Sequence, residues 1–253
     1  MEYVRLGKSN LMVSRVAFGA MSLAKIDDEE KAVSLVQSAY EKGINFFDTT
    51  RDASECERLL GDSIDEIRAN IVVATKTRAQ SGNEILADFE TSLNAMHIDR
   101  IDLYQYETDN FLPKKGSPDR IYDTLNNLKA QGKVKAIGIA AVDLNVARLA
   151  ITSGLYDTIQ FPFNMLTSEH AMELVHLCED NDVGFIAMQP LCGGLVENIP
   201  LAFGFLHQFE NVIPLWGVQT EEELRQILYF NEHPPLVDDK FKKEVEQIRQ
   251  FFN

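Results

Sequence analysis

Four polar side chains stand where short apolar runs give out. Ile44–Phe47 is followed by Asp48, IVVAT (71–75) by Lys76 and IDLYQY (101–106) by Glu107, while Gln160 sits within DTIQFPF (157–163). Carboxylate, ammonium and carboxylate at the ends of consecutive strand-like runs can hold, neutralise or transfer a proton. A buried lysine beside an aspartate is also a charge pair in its own right, because removing one partner strands the other at a cost of about 3–5 kcal/mol. The residues thus allow a catalytic or a purely structural use of Asp48 and Lys76. Glu107 has two readings as well. In an apolar pocket its neutral form is favoured and it serves as an acid near neutral pH; beside Lys76 it is an ionised member of a three-charge cluster.

Two rhythms alternate along the chain and must supply the frame. The runs Val16–Gly19, Ile44–Phe47, Ile71–Ala74, Ile101–Gln105, Lys135–Ala140, Thr158–Phe161, Gly184–Met188 and Val212–Pro214 read as buried strands. Between them lie helical stretches, such as 28–43 with Ala32, Leu35, Val36 and Ala39 on one face and Gly43 as a stop, then 83–96 and 119–132. Strand followed by helix, eight times over, predicts an α/β fold of the (β/α)8 TIM-barrel type rather than an open sheet. MEYVRLGKSNLMVSRV predicts an N-terminal β-hairpin turning at KSN. NEHPPLVDD (231–239) breaks the pattern, and KFKKEVEQIRQFF predicts an extra helix at the C-terminus. We read residues 1–253 as one domain, with 231–253 as an extension. In such barrels chemistry sits at the C-terminal strand ends, where Asp48, Lys76, Glu107 and Gln160 fall.

Composition narrows the function classes. The 39 acids against 24 Lys and Arg give a net charge of −15, which disfavours nucleic acid and anionic membranes as partners. No apolar run approaches the roughly 18 residues of a membrane span, and the first residues lack a signal-peptide pattern. The 3 cysteines, Cys56, Cys178 and Cys192, form no CxxC pair and suggest reduced thiols, hence a soluble cytoplasmic protein. No metal site is expected, and the oligomeric state is open.

The landmarks LGKSNLMVSRVAFGAMS, GINFFDTTRDASECERLLG, IVVATKT, RIDLYQYE, KVKAIGIA, GLYDTIQFPFN and GFIAMQPLCGGL run in order from end to end, and in them the chain resembles the aldo-keto reductase family. Later stretches, including the WG dipeptide of VIPLWGVQTEEEL, resemble a microbial branch that often carries a C-terminal iron–sulfur domain; here the chain stops where those cysteines would begin, so no cluster is expected in it. The resemblance implies hydride transfer from NADP(H) or NAD(H) to a carbonyl, with a tyrosine as proton donor supported by an Asp–Lys pair and a histidine. The pair matches Asp48 and Lys76. The tyrosine position holds Ala53 and the histidine position Glu107, which leaves Glu107 as the replacement acid. A glutamate at that position also occurs in the family's steroid double-bond reductases, which keep the tyrosine. None of the histidines, His97, His170, His176, His207 and His233, falls where it would restore the site, and strand alternation turns Tyr106 away from the interior.

For the cofactor the resemblance implies Gln160 and Asn164 near the nicotinamide, Met188, Gly193 and Gly194 along the loop after strand seven, and Gly217 and Thr220 after strand eight. Ala140 and Ala141 replace a polar pair that would hold the carboxamide. The glycines suit close approach of a diphosphate to the backbone, or merely a turn. Glu221–Glu223 would repel a 2′-phosphate, yet acids in a first helical turn also complement the helix dipole. Trp216 either flanks adenine or fills the barrel rim. Arg51 and Asp52 are solvated loop charges or substitute donors. Two functions compete: a nicotinamide-dependent reductase of a carbonyl or activated double bond with altered acid chemistry, and a catalytically impaired barrel, a pseudoenzyme, that binds a small molecule or a protein. A Tyr-to-Ala experimental variant would explain Ala53 but not Glu107, GIAAVD and Thr220 together.

Overall fold

The computed structural model describes residues 1–252. A two-stranded antiparallel hairpin opens it, β1 (Tyr3–Arg5) pairing β2 (Met12–Ser14) through Tyr3↔Ser14 and Arg5↔Met12. The turn is a single 3-10 turn over Gly7–Ser9, closed by Asn10 at φ 57. Eight parallel strands then close a barrel: β3 (Ala17–Gly19), β4 (Phe46–Asp48), β5 (Val72–Thr77), β6 (Ile101–Thr108), β7 (Val134–Ala141), β8 (Thr158–Pro162), β9 (Gly184–Met188) and β10 (Val212–Trp216), with β10 against β3. Each apolar run expected to be a strand overlaps one; β4 to β8 and β10 extend further toward their C-terminal ends than the runs suggest, and β3, β4 and β5 begin later.

The helices are α1 (Glu29–Glu41), α2 (Ser54–Ile64), α3 (Gly82–Met96), α4 (Ile121–Ala130), α5 (Leu144–Thr152), α6 (Glu169–Asp180), α7 (Ile199–His207), α8 (Glu221–Glu232) and α9 (Asp239–Phe252). Caps set their starts: the side chain of Asp28 accepts from Glu30 and Lys31 N–H, Asp143 from Asn145 and Val146, and Thr220 from Glu223. The break near the end begins only after Glu232, since helix α8 runs through Asn231.

Two apolar cores result. The larger lies between barrel and helices and includes Tyr104, Tyr106 and Trp216. The smaller fills the lower barrel with Phe46, Val72, Ala74, Leu103, Ala136, Ile186 and Ile213, and the hairpin plugs it from below with Leu6, Leu11 and Val13. Above this plug the inward positions turn polar, at Asp48, Lys76, Gln105, Thr158 and Gln160, all buried. Among the described residues no helix is long and apolar enough to cross a membrane.

Candidate functional site

Strand alternation brings the polar layer together. Phe46 and Asp48 share one face of β4, as do Ala74 and Lys76 of β5. Lys76 Nζ donates to Asp48 Oδ2 at 2.6 Å and to the Thr49 carbonyl at 2.7 Å. Both side chains are buried, Asp48 at 1% and Lys76 at 4% exposure. Burial pushes the Asp48 carboxyl above the ordinary aspartate value, while Lys76 pulls it back down and Glu107 adds a smaller upward push.

Gln105, two residues before Glu107 on the same face, completes the pair's surroundings. Its Nε2 donates to Gln160 Oε1 at 2.6 Å and more distantly to Asp48 Oδ1 at 3.4 Å, and Gln160 Nε2 reaches Asp48 Oδ2 at 3.4 Å. Gln105 therefore belongs to the cluster although its type drew no attention. An inward polar residue one step below Glu107 was the available signal.

Glu107 sits in a different setting from either expectation. Its side chain is 26% exposed, and Oε1 accepts from Arg78 Nη2 at 2.7 Å, so neither an apolar pocket nor Lys76 surrounds it. Arg78 also reaches Asp109 at 3.1 Å and Asp52 at 3.6 Å, joining three loops over the barrel mouth. It follows Lys76 by two residues, and that spacing on one strand face marks it in the sequence. Arg51 is no free donor. It pairs with Glu57, which is fully buried and also accepts from Thr75 Oγ1 at 2.8 Å and Ser92 Oγ at 2.7 Å. Asp52 stays exposed. Tyr106 turns outward as alternation requires, packs edge-on against Phe111 and has its phenol pushed up to about 12 by burial.

Ala53 precedes the first residue of α2 and supplies no side-chain cap. Its loop folds over the end of β5, with Arg51 N–H donating to the Lys76 carbonyl at 2.9 Å. Ala53, where the resemblance places a phenol, carries only a methyl group.

The remaining expected residues divide. Asn164 joins two loops: Nδ2 donates to the Gln189 carbonyl beyond β9 at 3.0 Å, and Oδ1 accepts from Leu166 N–H in its own loop at 2.9 Å. The Met188 carbonyl accepts from Phe163 N–H at 3.1 Å, and its side chain is half-buried at the end of β9. Gly193 (φ 68) and Gly194 (φ 98) have left-handed backbone, with nothing within 4 Å of where a Cβ would stand. Gly217 is exposed at the end of β10, and Thr220 caps α8. Ala140 and Ala141 are buried. Trp216 is buried in the core between barrel and helices, stacked on Phe203 at 5.5 Å.

The chain is 29% identical over 211 residues to the uncharacterized oxidoreductase YqkF of Bacillus subtilis, covering 78% of this chain and 67% of that one. It is 26% identical over 225 residues to the NADH-specific methylglyoxal reductase of Escherichia coli, covering 78% and 69%. This chain spans about two thirds of the length of the curated relatives it matches. In fold it resembles aldo-keto reductase AKR11C1 from Bacillus halodurans in its holo form, with a TM-score of 0.85 at 21% identity over 98% of this chain and 96% of that chain. The model of the Aldo/keto reductase family matches residues 15–202, and with the barrel and its inward Asp48 and Lys76 this places the chain in that family.

Proposed function

We propose that this barrel is a nicotinamide-dependent oxidoreductase that reduces a carbonyl or activated double bond without a phenol, with Lys76 as the group that meets the substrate oxygen. One observation carries the reading. Lys76 has three N–H donors; two are committed, to Asp48 and the Thr49 carbonyl, which leaves a third without a partner among the described residues.

The residues fit a dinucleotide through main chain more than side chain. Gly193 and Gly194 leave their backbone open to a diphosphate. Gln160 is held by Gln105 at 2.6 Å through Oε1 and makes only a long bond to Asp48 through Nε2, whose second N–H would be the donor to a carboxamide. Thr220 and the α8 N-terminus would lie near the adenosine end. When bound, the dihydronicotinamide supplies a hydride. Lys76 would hold the receiving oxygen, its charge-assisted N–H bond strengthening as negative charge develops there, and would pass that proton to the oxygen to complete the alcohol before regaining one from water. Asp48 keeps the ammonium in place, and Gln105 and Gln160 fix the Asp48 carboxylate. With Glu221, Glu222 and Glu223 in the first turn of α8 and no basic residue among 217–224, we assign the preference to NADH over NADPH.

The second reading, a binding barrel without turnover, is favoured by Ala140 and Ala141, which offer no side-chain partner to a carboxamide. Titration of NADH and NADPH, followed by NADH fluorescence and by calorimetry, separates the two. Saturable NADH binding with weaker NADPH binding is expected. Absence of binding by either up to millimolar concentration would leave only the second reading. Given binding, Lys76→Met should lower reduction of activated carbonyls by about 10²–10³-fold, as loss of a preorganised donor does.

A further inference from the structure

Glu107 and Lys76 present opposite hydrogen-bonding characters to the same mouth. Arg78 occupies only Glu107 Oε1, at 2.7 Å, and is itself anchored by Asp109 and Asp52. Glu107 Oε2 has no hydrogen-bond partner among the described residues, and the side chain is part-exposed. A carboxylate so paired accepts and does not donate. Lys76 only donates. The register pairs Lys76 with Gln105, so Glu107 stands one same-face step, about 6.6–6.8 Å, closer to the opening.

Resting on the oxidoreductase reading, we propose that the pair selects substrates with a hydroxyl on the carbon next to the carbonyl. The carbonyl oxygen takes the third N–H of Lys76, and the neighbouring hydroxyl donates to Glu107 Oε2. The same carboxylate repels a 2-oxo acid, whose negative group would fall in the hydroxyl's place, so selection has an attractive and a repulsive part. A site made only for an alkyl ketone would gain nothing from Glu107 there.

The test uses three probes of equal carbon number, hydroxyacetone, acetone and pyruvate, with NADH, on the wild type, Glu107→Leu and Glu107→Asp. Wild type should prefer hydroxyacetone to acetone by about 10- to 100-fold in kcat/KM, the worth of a hydrogen bond to a charged group, with pyruvate poorest. Glu107→Leu should bring the hydroxyacetone-to-acetone ratio to within about 3-fold, and Glu107→Asp should restore part of it. Saturation-transfer NMR of 1,2-propanediol against 1-propanol reads the same contact without turnover, and the diol signal should be stronger in the wild type alone. Equal kcat/KM for hydroxyacetone and acetone, with measurable turnover, overturns the hydroxyl selection and leaves the oxidoreductase reading intact. If no nicotinamide binds and nothing is reduced, the NMR comparison decides: no excess of diol over monool signal overturns the selection as well.

Discussion

Ala53 is the substitution with the largest chemical consequence, because a methyl group has no proton to transfer. General acid catalysis contributes roughly 10²–10⁴-fold, so restoring the phenol tests what else the site retains. Ala53→Tyr combined with Glu107→His should raise carbonyl reduction by at least about 10-fold if the nicotinamide pocket is intact; steady-state rates with NADH check it, and unchanged rates would locate the defect in cofactor binding. Glu57 shows how much the loop around Ala53 depends on one buried carboxylate. It holds Arg51, Thr75 and Ser92 at once, so Glu57→Gln should destabilise the protein by about 3–5 kcal/mol in chemical denaturation.

Among the elements, β7 carries a glycine for a packing reason. A Cβ at Gly138 would run into Thr158 Oγ1 and lie 3.1 Å from Gln105 Oε1. Gly138→Ala should therefore cost about 1–3 kcal/mol by overpacking, and Thr158→Ala in the same chain should recover part of it; thermal denaturation of the single and double variants reads both. The hairpin is held to the barrel by Arg5, whose guanidinium donates to both Asp182 oxygens at 2.7 and 2.9 Å. The pair is exposed and its energy small, but it has a pH signature. The Arg5 hydrogen bond holds the Asp182 carboxyl below its ordinary value, so the unfolded chain binds the proton more tightly than the folded one. That stabilisation is present above the ordinary aspartate range near 3.9 and is lost as pH falls through the folded value. Asp182→Asn should make the acid-side loss of stability shallower, seen as a smaller change of Tm below about pH 4.

For the molecule as a whole, α9 ties the C-terminus to the mouth. Its own Phe241 and Val245 are buried, and Arg249 Nε donates to the Met165 carbonyl at 2.6 Å while its guanidinium lies over the Phe205 ring at 5.5 Å. Met165 is in the same loop as Asn164, so the last helix braces a segment at the barrel's working end. Arg249→Ala should cost about 1–3 kcal/mol and increase amide exchange across residues 164–168, which mass spectrometry can follow.

Hydrophobic period by itself determined the order of strands and helices, because inward and outward faces repeat every two residues in one and every 3.6 in the other. It thereby placed Asp48, Lys76, Glu107 and Gln160 at the working end, and the quoted motifs pointed to the family. Which polar group meets which depends on neighbours distant in sequence, and only the closed barrel decided that. Residues 28 apart joined as Asp48 and Lys76, Glu107 went to Arg78, Arg51 to Glu57, and Asn164 to the Gln189 carbonyl. The physical reason is that strand period fixes the face a side chain occupies, whereas its partner is fixed by barrel register and by competition among nearby charges for the same few hydrogen bonds.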